Sequence, residues 1–134
     1  MNRYALHPMA ALAASSLLTL GACSFAARSG DIYRADTRAL LETRNSELQE
    51  CFDGVRETET KASGQVTAAF IVEADTGAVR DPQIVTDQTS APPSLQQCVL
   101  SSLGDLQLQP GDNREGKATF SWTFTTGGAA VPSP

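Results

Sequence analysis

The spacing of apolar residues changes several times along the chain, and each change predicts an element. Leu41, Leu48, Phe52 and Val55 recur at intervals of seven, four and three. That is one stripe of an amphipathic helix, with Arg38, Glu42, Arg44, Glu47 and Glu50 on its solvated side. Asp36 or Thr37 would cap its start, and Asp53-Gly54 would end it, Gly54 taking the left-handed stop position. After a charged loop the period drops to two. Val66, Ala68, Phe70 and Val72 alternate with Thr67, Ala69 and Ile71, which predicts a strand whose second face is mildly polar. Asp75-Thr76-Gly77 is a turn signal, and Val79 to Thr86 reads as the returning strand of a hairpin. Pro82 in that strand lacks a ladder donor and suits a sheet edge.

A second helix follows two prolines, with Leu95, Val99 and Leu103 spaced four apart and Gly104 at its stop. Leu106 and Leu108 lead to a bend at Pro110-Gly111. Phe120, Trp122 and Phe124 then alternate with Thr119, Ser121, Thr123 and Thr125, a strand with one aromatic and one hydroxylic face. The order helix, strand, strand, helix, strand predicts an α+β fold with a small three-stranded antiparallel or mixed sheet and both helices on one face. A right-handed crossover through the second helix places the third strand beside the first, giving the sheet order 2-1-3. Trp122, between two other aromatics on one face, belongs to the core in this scheme. The final GGAAVPSP has nothing to offer a core and is expected to be disordered.

The start of the chain follows another logic. One basic side chain, Arg3, precedes the apolar stretch Met9 to Leu20, which ends at Gly21 and Ala22. A charged start, a short apolar centre and a small-residue exit mark a secretory signal peptide, too short to span a bilayer, which needs about 20 residues. Leu20-Gly21-Ala22-Cys23 resembles the bacterial lipobox, although Gly is not the commonest second residue. The resemblance implies cleavage before Cys23, a diacylglycerol on its thiol and an acyl chain such as palmitate on its new amino terminus. The other reading is an ordinary exported protein cut after Ala22 with a spare thiol, a less usual outcome in an oxidising compartment. The organisation expected is a signal peptide over 1–22, a short tether over 23–35, a domain over 36–126 and a tail over 127–134. Several acyl chains would hold it to a membrane durably. Ser24 after Cys23 fits the outer membrane, facing the periplasm, under the usual sorting rule.

Without residues 1–22 the chain keeps nine basic and 15 acidic residues, a formal charge of 9 − 15 = −6. That balance argues against nucleic acid as a partner. His7 is the sole histidine, so the remainder has neither a histidine-activated nucleophile nor an imidazole metal ligand. No cofactor and no small-molecule substrate is indicated. Cys51 and Cys98 form an even pair, read first as a disulfide in an exported protein. Two buried thiols or a redox couple are the alternatives, the latter without the usual Cys-x-x-Cys spacing.

The stretches ELQECF, GQVTAAFIVEADTGAVRDPQIV, LQQCVLSSL and ATFSWTF together resemble the AgmX/PglI C-terminal domain family, itself similar to the C-terminal domain of TonB. The matching positions are Cys51 with Phe52, Gly64 with Val66, Phe70 and Ile71, Gly77 with Val79, and Cys98, within about residues 36 to 126. Phe52 stands where the family usually has Tyr, and Leu106 to Pro110 replace a common Phe-Pro pair. The resemblance implies no catalytic motif. It implies a domain that lends a sheet edge to an extended peptide of a partner, with motility or another trans-envelope assembly as the family setting. The stiff Pro-rich spacer and membrane helix that energy coupling requires are not in this sequence.

The expected function is therefore a noncatalytic, membrane-anchored protein-binding module that adds a partner strand to an edge. The strand bearing Thr119, Ser121, Thr123 and Thr125 is the better candidate edge, because the other contains Pro82. A structural subunit of an envelope complex is an alternative. A carboxylate-dependent envelope hydrolase using Glu73 with Asp75, or Asp81 with Asp87, is a weaker one, since acid/base work needs carboxylates in contrasting environments. Asp53, Glu57 and Glu59 lack the ligand spacing and central Gly of a calcium loop.

Overall fold

The computed structural model describes residues 27–129 and 132–134. The predicted signal peptide and Cys23 lie outside the described residues. Helix α1 (Gly30–Glu42) is followed by α2 (Asn45–Thr58), β1 (Gly64–Val72), β2 (Val79–Ile84), a 3-10 turn (Thr86–Gln88), α3 (Pro93–Ser102), β3 (Gly116–Thr125) and β4 (Gly128–Ala129). The strands form one sheet in the order β2-β1-β3-β4 with every neighbouring pair antiparallel. The fold is α+β, as expected. Among the described residues it has three α-helices and four strands where two and three were predicted.

The first predicted helix is two. Leu41 lies on α1, while Leu48 and Phe52 lie on α2, and Thr43-Arg44 joins them. Both joining residues have near-helical angles, and the Thr43 hydroxyl donates to the Leu40 carbonyl at 2.6 Å, so the stripe continues across a kink. Gly54 does not stop α2. Val55 beyond it packs against the core, and the helix runs on to Thr58. Helix α1 also begins at Gly30, inside the predicted tether, where the Ser29 side chain accepts from the Ile32 N–H.

The core lies on one face of the sheet. Val66, Ala68, Phe70 and Val72 of β1 and Phe120, Trp122 and Phe124 of β3 meet Leu41, Leu48, Phe52, Leu95, Val99 and Leu103 from the helices. Phe52 is fully buried, with its ring 5.2 Å from that of Phe124, and Phe70 stacks on Phe120 at 6.2 Å. A disulfide joins Cys51, near the middle of α2, to buried Cys98 of α3. On the opposite face the turn at 86–89 folds over Thr67. Its hydroxyl reaches the Gln88 carbonyl at 2.9 Å and Ser121 Oγ at 2.8 Å.

The β1–β2 hairpin turns at Gly77, whose φ of +70° is the left-handed value a glycine takes without penalty. The segment with Leu106 and Leu108, predicted only to approach a bend, instead lies along the start of β2. The Val79 N–H donates to the Leu106 carbonyl at 2.9 Å and the Leu108 N–H to the Gly77 carbonyl at 2.8 Å. A Cβ on Gly77 would collide with that same Leu108 backbone.

The tail is the largest departure. The last residues do not hang free: β4 pairs with β3, Pro132 is buried, and Ser133 exchanges two main-chain hydrogen bonds with Ser121, at 2.8 and 3.0 Å. Gln49 of α2 holds β4 by accepting the Ala129 N–H at 2.9 Å. Edge pairing and the burial of one proline supply what a periodic apolar pattern would otherwise reveal.

Candidate sheet-edge site

Two sheet edges are available for a partner strand, and they differ. On the β2 edge, the register shifts between Ala69 and Ile71, Asp81 sits at φ +49°, and Pro82 has no N–H. The Leu106–Leu108 segment covers the start of the same edge. A bulge, a missing donor and a covering segment together blunt it.

On the β3 side the alternation of an antiparallel ladder decides which groups face outward. Ser121 gives both main-chain groups to Ser133, away from β1, so Lys117, Thr119, Thr123 and Thr125 share its orientation. The four residues singled out in the sequence, Thr119, Ser121, Thr123 and Thr125, therefore face the edge with their main-chain groups as well as lying on one face. The structure does not leave that edge wholly free. Thr125 pairs with Gly128 and Ser121 with Ser133. Among the described residues, Lys117 and Thr119 have no outer partner, and both are exposed.

The open end borders a groove of about 570 Å³ between β3 and the first turns of α1. Arg28, Tyr33, Arg34, Asp112, Arg114 and Lys117 contribute to its lining. Tyr33 and Gly116 seat α1 against β3, because a Cβ on Gly116 would overlap the Tyr33 ring. Among the described residues, the buried Tyr33 hydroxyl has no hydrogen-bond partner. Burial, and after it the Asp112 charge, raise its pKa above the ordinary value.

Asp112 organises the end of the groove. Its Oδ2 accepts the Arg28 main-chain N–H at 2.7 Å and its Oδ1 the Arg114 N–H at 3.1 Å, while its carbonyl accepts the Asp75 N–H at 2.7 Å. The hydrogen bond from the Arg28 N–H, more than any other influence, holds the Asp112 carboxyl below the usual aspartate value, against the opposing effect of desolvation. The Arg28 side chain bonds Asp36 at 2.7 Å and the Pro110 carbonyl at 2.7 Å, and Arg114 donates back to the Arg28 carbonyl. Asp36 and Pro110 were read in the sequence only as a helix cap and a bend, and Arg28, Asp112 and Arg114 did not stand out. Their one signal is local, an Asp four residues ahead of the β3 start, and its partner lies 84 positions away.

The carboxylate pairs weighed for catalysis are engaged elsewhere. Glu73 is bonded by Thr76 and paired with Arg80 at 3.5 Å, and the Thr76 hydroxyl first, then Arg80, lower its pKa. Asp75 turns at φ +63°, Asp81 sits at the β2 bulge, and Asp87 belongs to the 3-10 turn. Among the described residues no three His, Cys, Asp or Glu side chains cluster as metal ligands, and no helix is long and apolar enough to cross a membrane.

Fold and edge thus define a small α+β domain with an antiparallel sheet, one blunted edge and one partly open edge. Compared with protein-family models, with curated proteins and with solved structures, the chain has no significant match.

Proposed function

We propose that this chain is a lipid-anchored envelope protein whose TonB C-terminal-like domain, of the AgmX/PglI kind, binds an extended segment of a partner by strand addition to β3. The observation that carries the reading is the β3 edge. It already accepts added main chain at Ser121 and Thr125 from the chain's own tail, and it stays open at Lys117 and Thr119. An edge that accepts one strand segment offers the same donors and acceptors to another. The function needs no catalytic group, and the site supplies main-chain hydrogen bonds beside a helix-walled groove.

The anchor sets where this happens. Arg28 is fixed to the body, and only five Cα steps separate it from Cys23, at most about 18 Å when extended. A lipidated Cys23 would keep the groove close to the outer-membrane surface, on the periplasmic side. The test is a photo-crosslinking residue at Thr119 in native cells, with exposed Thr60 as the control site. A discrete adduct at Thr119 that disappears when Lys117→Pro removes the neighbouring edge donor supports strand addition. Equal adducts at both sites, or an adduct indifferent to the proline, reject it.

A further inference from the structure

We infer that the groove between α1 and the open end of β3 takes an acidic extended peptide, a deepening that rests on the strand-addition reading above. The chain as a whole is acidic, with a formal charge of −5. The groove is not. The side chains of its lining hold four cations, Arg28, Arg34, Arg114 and Lys117, against two carboxylates, Asp112 and Glu115, a side-chain balance of 4 − 2 = +2.

The charges that a ligand can reach are more one-sided still. Asp112 is 4% exposed, and its oxygens are turned onto the Arg28 and Arg114 N–H groups. Arg28 is half-buried and tied to Asp36. The Arg114 side chain, by contrast, is 65% exposed and 3.9 Å from Asp112, and that of Arg34 is 59% exposed, its partner Asp31 standing 96% exposed outside the lining. Lys117 is exposed on the open strand end itself. Among the side chains of the lining, three reachable cations therefore face one reachable carboxylate, Glu115.

The route of the ligand is set by the tail. Ser133 lies antiparallel on Ser121, and Pro134 reaches the groove lining. A partner strand running in the same direction and pairing with Thr119 and Lys117 would continue this line and carry its side chains between the basic groups. Main-chain bonding fixes the register, and the two faces of the added strand meet different cations, Arg34 on the α1 side and Lys117 on the Thr119 side, with Arg114 at the end of the groove.

The experiment uses the whole mature chain, purified from membranes in a neutral detergent, and three synthetic eight-residue strand peptides in which Thr alternates with Glu, Ser or Lys. Binding is followed by amide chemical shifts and calorimetry. The Glu peptide is expected to bind at least about 10-fold tighter than the others, with shifts at Lys117 and Thr119 and a loss of affinity as salt rises. Arg34→Glu with Lys117→Glu should reverse the preference toward the Lys peptide. The milder Arg34→Gln with Lys117→Gln should abolish it, and unchanged shifts of the core amides show that each variant is folded. Equal binding of all three peptides at the edge would overturn the acidic-ligand inference and leave strand addition standing. Glu-peptide binding that survives a Thr119→Pro block would mean anion capture without strand pairing, and would overturn both. Failure of every peptide, or groove shifts produced only by phosphatidylglycerol vesicles, would also overturn it, the second in favour of a membrane occupant.

Discussion

The main-chain N–H of Arg28 donates to Oδ2 of Asp112 at 2.7 Å, joining residues 84 positions apart. The Arg28 side chain and carbonyl are bonded into the same cluster by Asp36, Pro110 and Arg114. The segment ahead of α1 is thus part of the body of the domain. Asp112→Ala should free Arg28 while leaving the core intact, read as faster amide exchange at Arg28 and Arg114 with unchanged exchange in β1. Protection retained at Arg28 would show that the side-chain bonds alone suffice.

Acid should act on the same contact. The folded-state pKa of Asp112 is depressed, so its contribution is fully present above the unfolded aspartate value, about 3.9, and is lost as pH falls through the lower folded value. The Arg28 and Arg114 amides are expected to stay protected at pH 5 and to lose protection below about pH 4. The pH profile should flatten in Asp112→Asn. A transition near neutrality would contradict this assignment.

The Cys51–Cys98 bond closes a separation of 47 residues. In the chain-entropy model a loop of that size stabilises by about 4 kcal/mol. Replacing both cysteines with alanine should lower the urea midpoint accordingly, and reductant should do the same to the wild type. A reductant-insensitive midpoint would show that the bond contributes little.

Phe52 is fully buried against Phe124. Phe52→Ala should cost about 3–5 kcal/mol, as large aromatic truncations in a closed core do. Phe52→Tyr is the sharper comparison, because it adds a single hydroxyl to a fully buried ring. A loss comparable to that of Ala would mean that the core has no outlet for the hydroxyl.

The tail and a partner should compete. Deleting residues 130–134 uncovers the outer groups of Ser121. Any peptide that pairs along β3 beyond Thr119 is then expected to bind more tightly, by calorimetry on the truncated and full chains. Weaker binding would mean that the tail forms part of the site.

How much of this was legible follows from which contacts are local. The alternation in β1 and β3 and the Gly77 turn depend on near neighbours, and they stand where the pattern puts them. The kink at Thr43-Arg44 was hidden because residues in near-helical conformation do not disturb a seven-residue interval. Gly54 misled because a glycine can stop a helix, yet Val55 gains enough from the core to carry the chain past it. The Asp112 cluster joins groups 84 positions apart, while the β4 pairing and the Ser133 bridge rest on main-chain groups of a short tail without apolar alternation. Side-chain periodicity carries no trace of such meetings. The candidate edge residues were visible as a hydroxylic face, whereas their occupancy by the tail was not.

The Arg28 cluster also gives the domain a direction in which to be pulled. Tension entering at the N-terminal end passes through Arg28 to Asp112 and Arg114 and reaches the sheet at Gly116, the first residue of β3. From there it runs along β3, where nine residue pairs with β1 share it in shear. A strand held at Lys117 and Thr119 would meet the force within a few residues of its entry. The route bypasses α3 and the disulfide, so the strand pair β1–β3, and not the cross-link between the helices, would be the part of the domain that resists the pull.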